Sequence, residues 1–478
     1  MDISHEVVRL QRANEETTWS LSERIWGYAE TGLLEERSAA AYREVLRENG
    51  FEVSEVEGMP TAFIGTWGSG RPVIGFTGEY DALPALSQKA GVTHCEPEGE
   101  NRPGHGCGHN NLGTGALGAA LVVRDYMEEN GLSGTVKFFG TPSEERDACK
   151  TYMARDGYFE DLDFAITWHP KDRSAVWTAG TLANVIAIYH FKGVAAHAAN
   201  SPEMGRSALD SAELMNVGVN YLREHVVEQA RMHYAYTDVG GRAPNVVQPS
   251  ASVYYFLRAP KIAQALDIYE RVNNIARGAA LMCGTQVEIQ FVLALSDYLC
   301  SHRLAKVMQE AMEELGAPEY DEEDYRLAKE FYETLTDAEK NAARDRLSYE
   351  FSKEEIEHME RVGLQDRIEP LDFRRPVQTI SSDVGDLSYS TPTIQVNMAT
   401  AALGTNLHTW QMTAQGLTSY AKKSTARAIQ VMALTAIKAL LDPAIIEEAQ
   451  QELIAARGPK YVCPLPKEVG LRDPKVQP

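Results

Sequence analysis

The segment GHGCGHN, residues 104–110, carries three side chains that could bind a metal ion. His105, Cys107 and His109 stand at alternate positions, and alternate side chains of an extended segment point to the same side. Imidazole and thiolate are ligands that zinc and its neighbours accept. Small and apolar residues at helical spacing follow, which predicts a helix capped by the asparagines after the cluster. The segment is therefore either a metal site or a group of side chains buried for packing.

Polar residues at the ends of other predicted strands extend the metal hypothesis. Glu144 and Glu145 directly follow TVKFFGT, His169 ends FAITWHP, and His408 lies in a Gly-Thr turn after an apolar run. Taken singly, a glutamate pair favours a helix N-terminus, and a histidine at a strand end is commonly just hydrogen bonded. Adjacent carboxylates also repel unless a cation or separate roles divide them. Together these positions give five donors for two divalent ions, namely Cys107, His109, one of the two glutamates, His169 and His408.

The composition is that of an ordinary globular protein. Its 478 residues, 44% hydrophobic and 24% charged, predict two or three domains. A formal net charge of −22 argues against nucleic acid and against a membrane surface as partners. No apolar run is long enough for a spanning helix, and the N-terminus lacks a signal-peptide pattern. Six scattered cysteines without a disulfide spacing favour a reduced, cytoplasmic enzyme.

The N-terminal part of the chain predicts an α/β fold. Two helices, roughly 3–31 and 35–50, precede a series of short apolar strands that alternate with helical sequence. The strands are predicted at 61–67, 72–78, 135–141 and 164–170. Each runs into polar residues, glycine or proline at its C-terminal end, which is where sites gather in an α/β sheet.

The pattern changes near residue 185, where apolar and polar residues alternate. The order strand–helix–strand–strand–helix–strand predicts a small α+β sandwich inserted into the larger domain. We therefore predict a catalytic domain formed by 1–184 and 299–478 and an inserted domain at 185–298. Residues 318–372 are dense in charged side chains and predict a solvated helical excursion, either a surface decoration or a local lid.

Seven motifs together resemble one family of enzymes. GEYDALP, GHGCGHN, PSEE, TWHP, GVAAHAANSPEMGRSALD, APNVV and GTNLHTW occur in this order, and the similarity spans about 15–445. They resemble the dinuclear metal-dependent aminoacylase and carboxypeptidase-G-like amidohydrolases. The resemblance implies an α/β catalytic domain with a central mixed sheet flanked by helices, and an inserted α+β dimerisation or lid domain. It also implies two divalent metal ions, zinc or manganese, held by Cys107, His109, Glu145, His169 and His408.

The resemblance further implies the roles of the remaining polar residues. Glu144 is the general base that activates the attacking water, and Asp81 orients the ligands. His197 acts in catalysis, and together with Asn245 and Arg258 it binds the substrate carboxylate or the developing oxyanion, often across a dimer interface. The implied reaction hydrolyses an amide bond and releases an amino acid from an N-acyl or aromatic-acyl conjugate such as p-aminobenzoyl-glutamate. The expected assembly is a homodimer, or a heteromer with a paralogous subunit.

Two positions depart from the family pattern. Asn110 stands where many relatives have aspartate, and Glu79 stands where other branches have histidine, which leaves the reach of Glu79 to a metal open. Three further functions are compatible with the sequence. They are a dipeptidase for unusual dipeptides such as β-alanyl ones, a metal-free scaffold or regulatory subunit, and a cysteine hydrolase that uses Cys107 with a histidine.

Overall fold

A computed structural model describes residues 2–473 of the chain. In this range the strands are β1 (Glu52–Val56), β2 (Met59–Ser69), β3 (Val73–Gly78), β4 (Gly134–Gly140), β5 (Phe164–Lys171), β6 (Ala175–Val176), β7 (Ala183–Lys192), β8 (Arg231–Asp238), β9 (Ser250–Ala259), β10 (Gln286–Leu295) and β11 (Thr393–Ala399). The α-helices are α1 (Ile3–Ala13), α2 (Glu15–Tyr28), α3 (Glu36–Glu48), α4 (His109–Glu129), α5 (Cys149–Arg155), α6 (Ala208–Leu222), α7 (Ile262–Cys283), α8 (His302–Leu315), α9 (Glu322–Glu333), α10 (Asp337–Leu347), α11 (Lys353–Val362), α12 (Val384–Ser390), α13 (Trp410–Gln415), α14 (Ser419–Leu441) and α15 (Pro443–Arg457).

The chain divides into two compact units. The first contains residues 2–179 together with Leu299–Arg375 and Leu387–Tyr461. The second contains Gly180–Tyr298, Pro376–Asp386 and residues 462–473. The predicted insertion at 185–298 falls within the long segment of the second unit.

The first unit is built on a mixed sheet with the strand order β1-β2-β4-β3-β5-β11-β6. The four central strands β4, β3, β5 and β11 are parallel, whereas β1, β2 and β6 each run antiparallel to a neighbour. Strands buried on both faces need continuous apolar runs, and β3 and β11 are buried along their whole length. The sheet confirms the predicted fold class and brings the carboxyl ends of the parallel strands to one edge.

Helices α4 and α14 pack against each other and against this sheet. Both helices are buried on nearly every side, so their sequences are apolar nearly all round and not amphipathic. Gly115 allows the close approach of α4 to β5, because a Cβ there would lie 2.6 Å from the indole of Trp168. The indole Nε1–H donates to the carbonyl of Leu112 at 2.8 Å, which fixes the start of α4 over β5. This contact positions the N-terminus of α4 beside the sheet edge.

Two helix predictions were wrong in detail. The helix predicted across 3–31 is interrupted at Asn14, whose amide donates to the carbonyl of Leu10 at 3.0 Å and to Asp125 at 2.7 Å. The helix after GHGCGHN begins at His109 and is capped by Gly108, which has a φ of +77°, and not by an asparagine. Asn110 lies inside this helix, where its side chain donates to Ser22 Oγ at 3.0 Å.

The second unit contains β7, α6, β8, β9, α7 and β10, in that order along the chain. Its sheet is antiparallel with the strand order β10-β7-β9-β8. Apolar residues of α6 and α7 pack with one face of the sheet in a separate core that includes Val185, Met215, Tyr255 and Val272. From Tyr254 onward β9 alternates half-buried and buried residues, and the first six residues of β10 alternate exposed and half-buried ones, as in a sheet that is covered on one face.

The charged segment 318–372 folds into α9, α10 and α11 of the first unit. Each helix starts with a capping box, at Asp321, Thr336 and Ser352. Leu347 and Met359 are fully buried on the inner faces of these helices, so the prediction of a solvated excursion describes only their outer faces.

Within residues 2–473, no single helix is long and apolar enough to cross a membrane. Only α14 and α15 taken together reach that length and hydropathy, and the two helices meet at an angle of 99°.

Candidate metal centre

Each predicted metal ligand lies at or near the end of an element of the first unit. Cys107 lies in a turn before α4, and His109 is the first residue of that helix. Glu145 follows β4, His169 lies near the end of β5, and His408 lies in the loop between β11 and α13. Because β4, β5 and β11 are parallel, the segments that follow them share one edge of the sheet.

The potential ligand atoms form three overlapping groups. Within each group, one ligand atom from each residue lies within 4.8 Å of the others. The groups are Cys107 with His109 and His169, Cys107 with Glu145 and His408, and Glu79 with His109 and Glu144. Every predicted ligand belongs to at least one group, and the overlaps would allow two neighbouring ions to be held side by side.

Asp81 connects the ligands of different groups. Its buried carboxylate accepts a hydrogen bond from His109 Nδ1 at 2.8 Å and another from the Glu145 backbone N–H at 3.0 Å. A hydrogen bond at Nδ1 leaves Nε2 of His109 as the atom that faces the other ligands. This geometry agrees with the role that the resemblance implies for Asp81, which is to orient the ligands.

The donor set fits a divalent cation. Nε2 of His109 and Oε1 of Glu145 are buried and make no hydrogen bond within residues 2–473. They face Glu79 Oε2 and His408 Nε2, respectively, each at 3.1 Å. Buried polar atoms normally have a partner, and an ion between such atoms would provide one.

His169 is prepared to act as a neutral ligand. Its Nδ1 donates to its neighbour's carbonyl, Pro170 O, at 2.8 Å, and its Nε2 lies 3.5 Å from Cys107 Sγ. Burial, with the positive charges of Lys171 and His109, lowers the pKa of His169 well below its usual value. The neutral imidazole with a free Nε2 lone pair is the form that binds metals.

The Cys107 thiol is not activated in the absence of a cation. Burial raises the pKa of Cys107, and the Glu145 carboxylate raises it further. A nucleophilic cysteine needs the opposite environment, one that lowers the thiol pKa. A coordinated divalent ion removes the thiol proton outright, so the site suits Cys107 as a ligand better than as a nucleophile.

Lys150 is a member of the site that the sequence interpretation missed. It is fully buried, and its Nζ lies 2.7 Å from Oε1 of Glu79, whose other oxygen faces His109. A buried lysine requires an opposite charge nearby, and this pairing offsets one of the carboxylates around the ligand groups. Nothing in the sequence of α5 marks Lys150 as buried, because its burial, like that of the other residues of the helix up to Ala154, appears only in the folded structure.

His408 is held in an unusual backbone conformation. Its φ is +61°, in the left-handed region of backbone conformation that residues other than glycine rarely adopt. Its N–H donates to the carbonyl of Gly106 at 2.7 Å, which ties the His408 loop to the GHGCGHN segment. Strained residues of this kind persist where surrounding contacts enforce them, and they cluster at functional sites.

His105 does not join Cys107 and His109, contrary to the expectation from their alternate spacing. Residues 105–108 form a turn and not an extended segment, so alternation does not apply. His105 Nε2 instead lies 3.0 Å from the carbonyl oxygen of Ile25, and His105 belongs to none of the three ligand groups. Burial lowers the pKa of His105 to about 4, which keeps this ring neutral.

The predicted substrate-binding residues lie in the second unit. His197 is exposed, and its Nδ1 accepts hydrogen bonds from the backbone N–H groups of Ala199 and Asn200 at 3.2 and 3.0 Å. Since Nδ1 accepts, the proton of the neutral ring is on Nε2, which can donate to a ligand. Asn245 lies next to His197, because the carbonyl of Asn245 accepts a hydrogen bond at 3.0 Å from the N–H of Ala198, the residue that follows His197.

Arg258 lies in β9 of the same unit. Its Nη1 donates to Ser381 Oγ at 3.0 Å, and its buried Nε makes no hydrogen bond within the described residues 2–473. The guanidinium therefore keeps donor capacity for a further acceptor, as a carboxylate-binding role would require.

Comparisons with known proteins identify the family. Residues 75–336, more than half of the chain, match the family described as Peptidase family M20/M25/M40. A subunit of the p-aminobenzoyl-glutamate hydrolase of Escherichia coli K12 is 42% identical over 463 residues, which cover 96% of each chain. The chain belongs to peptidase family M20/M25/M40. As a member of the M20/M25/M40 family it is a metal-dependent amidohydrolase, and the family implies divalent metals.

Other proteins that resemble this chain are less similar in sequence. The Xaa-Arg dipeptidase of Mus musculus is 30% identical over 287 residues, which cover 57% of this chain and 62% of that one. A dinuclear metal binding peptidase from the M20 family of Bacillus subtilis has a similar fold, with a TM-score of 0.56. It is 15% identical, and the match covers 88% of this chain and 99% of that one.

Proposed function

We propose that this enzyme hydrolyses the amide bond of an N-acyl or aromatic-acyl amino acid, such as p-aminobenzoyl-glutamate, and releases the amino acid. The observation that carries the proposal is the set of three overlapping ligand groups around Cys107 and His109. The similarity to a p-aminobenzoyl-glutamate hydrolase subunit along nearly the whole chain supports the choice of substrate class.

The proposed ligands of two divalent ions, zinc or manganese, are Cys107, His109, Glu145, His169 and His408. When bound, two such cations would lower the pKa of a shared water and polarise the amide carbonyl. Thiolate favours zinc, whereas carboxylate and imidazole also suit manganese. The likeness to a dinuclear metal binding peptidase supports a pair of ions over a single ion.

Glu144 is the proposed general base. Its carboxylate is within 4.8 Å of the ligand atoms of Glu79 and His109, so it lies beside the ligands without requiring Glu145 to leave its place. Glu144 accepts a proton from the attacking water and returns it to the leaving amine, while Glu145 stays a ligand. A general base in such a position contributes about 10²–10⁴-fold to the rate.

His197, Asn245 and Arg258 are the proposed substrate-binding residues. The Nε2–H of His197 donates to the oxygen that becomes negative as the carbonyl is attacked, a contact worth about 3 kcal/mol in comparable sites. Arg258 offers a fixed pair of donors that suits a substrate carboxylate, and Asn245 donates to the same group. The neutral tautomer of His197 and the buried Nε of Arg258 support these roles.

A dipeptidase is the second candidate. The similarity to an Xaa-Arg dipeptidase favours it over a metal-free scaffold or a cysteine hydrolase, because a dipeptide also has an amide bond next to a free carboxylate. The same metal ligands and the same base would serve, so the two candidates differ only in the group on the acyl side. A cysteine hydrolase is disfavoured by the burial that raises the pKa of Cys107.

We also propose that the enzyme is cytoplasmic and that it forms a dimer or a larger complex of several chains. The six cysteines are scattered along the chain without the spacing of a disulfide framework, which supports a reducing compartment. The relative from Escherichia coli is named as a subunit, which supports a heteromer with a paralogous chain beside the homodimer expected from the sequence.

The deciding experiment measures bound metal and then amine release. Purified protein is analysed for zinc and manganese, and p-aminobenzoyl-glutamate is added with either metal. Two ions per chain with release of glutamate would support the proposal. Two ions without release would redirect the search to dipeptides, which are tested next under the same conditions. Protein that binds neither metal and hydrolyses neither substrate would overturn the proposed metal centre.

A further inference from the structure

The charged segment 318–372 packs against the loop that carries His408. Leu403 in this loop is fully buried in a cluster with Leu347 of α10 and Met359 of α11. The Leu403 N–H donates to the carbonyl of Gly363, the residue that ends α11, at 2.9 Å. The segment is therefore part of the support of the catalytic unit.

A half-buried ion pair joins the segment to the sheet edge. Both terminal nitrogens of Arg346, in α10, contact the carboxylate of Asp172, at 3.2 Å to Oδ1 and 2.7 Å to Oδ2. The Asp172 side chain is 7% exposed and the Arg346 side chain is 33% exposed. A planar guanidinium that meets both carboxylate oxygens sets the orientation of that carboxylate, not only its charge.

The carboxylate of Asp172 also contacts the loop that carries His408. Its Oδ2 also accepts a hydrogen bond from the Gly404 N–H at 2.9 Å. Asp172 directly follows β5, three residues after His169, while Gly404 lies four residues before His408. One carboxylate therefore sets the spacing between the segments that carry two of the proposed metal ligands.

A second contact from α10 reaches the same loop. The Asn406 amide donates to Glu339 Oε1 at 3.1 Å, and the other oxygen of Glu339 accepts from the N–H of Thr336 in the capping box of α10. The side chain of His408 itself is 51% exposed, so burial does not hold it in place. Its left-handed backbone needs support from neighbouring contacts, and these two contacts provide it.

We propose that Arg346 is a positioning residue that acts through Asp172 and Gly404 to hold His408 in place for metal binding. This inference rests on the proposed function, in which His408 is a ligand. It assigns a role to a segment whose composition indicates only a solvated surface.

The test compares Arg346→Lys with Arg344→Lys in the full-length protein. Lysine keeps the charge of Arg346 but cannot contact both oxygens of Asp172 in the same way. Arg344 is a matched control, because it lies in the same helix and makes an equivalent paired contact with Glu360 at 2.7 and 2.9 Å. Cobalt(II) is titrated into metal-depleted protein, and its visible absorption reports each binding step.

We expect wild type and Arg344→Lys to bind two cobalt ions per chain with the same two affinities. Arg346→Lys should weaken one of the two steps by about 10–100-fold and leave the other unchanged, as for other residues that orient a ligand. A purely structural role would lower thermal stability without this selective loss. Hydrogen exchange of the Gly404 and His408 amides should be faster in Arg346→Lys than in Arg344→Lys.

Asn406→Ala provides a second variant in case Arg346→Lys does not fold. Asn406 is exposed, so its removal leaves the core intact, and the same cobalt step should weaken by a smaller factor. The inference is overturned if the folded variants, Asn406→Ala included, bind both ions like wild type, or if Arg344→Lys loses the same step. Failure of wild type to bind two ions would instead overturn the proposed metal centre, and that result is visible before any variant is made.

Discussion

Glu144 and Glu145 are neighbours in sequence but have different surroundings. The backbone of Glu145 is fixed by Asp81, and its Oε1 faces His408 at 3.1 Å. Glu144 instead groups with Glu79 and His109. A ligand must stay in place while a base must exchange its proton, so one side chain cannot do both well. In the proposed mechanism two adjacent glutamates divide these tasks, which would account for two carboxylates that otherwise repel.

The substitution Glu144→Gln separates these tasks. Glutamine keeps the shape of the side chain but cannot accept a proton from water, so we expect kcat to fall by about 10²–10⁴-fold. Metal content, measured on the same preparation, should stay at the wild-type value. Glu145→Gln is the control, and it should lose metal together with activity. Turnover near the wild-type rate in Glu144→Gln would remove Glu144 as the base.

The sequence predicted the candidate metal ligands but not the charged residues that contact their neighbours. Cys107, His109, Glu145, His169 and His408 were named from motifs, and the structure brings each of them into a ligand group. Lys150 and Arg346 were not named, because nothing in a helical sequence shows which charged residue will meet a buried carboxylate. Their importance comes from Glu79 and Asp172, the carboxylates they meet after folding.

At the scale of elements, strands were easier to predict than helix ends. Buried parallel strands need continuous apolar runs, so the predicted 72–78 and 164–170 agree with β3 and β5 to within one residue at each end. The break at Asn14 was missed, because it depends on a hydrogen bond to Asp125 in another helix. The turn at 105–108 was missed because Gly108 sets it through a positive φ and not through a polar cap.

Gly108 is where this turn can be tested. Its φ is +77°, and a Cβ there would lie 2.9 Å from both Met412 Cε and Pro170 Cβ. We expect Gly108→Ala to be destabilised by about 1–3 kcal/mol, from backbone strain and overpacking, when unfolding is followed in urea. The same change should also weaken metal binding, because Cys107 and His109 are the two neighbours of Gly108 in the chain.

Gly131→Ala is the matched control for this prediction. Gly131 also has a positive φ, +60°, but a Cβ there would have no neighbour within 4 Å. Its substitution should cost only the backbone strain and should leave metal binding unchanged. Equal loss of stability in the two variants, with no effect on metal binding in Gly108→Ala, would show that the packing around Gly108 does not shape the site.

For the whole molecule, the main feature is a net charge of −22 combined with a proposed substrate that is itself an anion. Arg258 and bound cations would act on the substrate at short range, whereas the excess carboxylates repel it at long range. Salt separates the two effects, because the Debye length is about 30 Å at 0.01 M and about 8 Å at 0.15 M ionic strength. Remote charges are therefore screened first.

This reasoning predicts how kcat/KM for p-aminobenzoyl-glutamate depends on salt. We expect it to rise by about twofold to fivefold as ionic strength increases from about 0.01 to 0.15 M, because long-range repulsion between like charges is removed. At higher salt it should fall, as the contacts with Arg258 weaken. Arg258→Met should lower kcat/KM at every salt concentration while keeping the initial rise, since the repulsion comes from elsewhere in the molecule. A steady fall from the lowest salt onward would mean that a local positive field dominates substrate approach, despite the acidic surface.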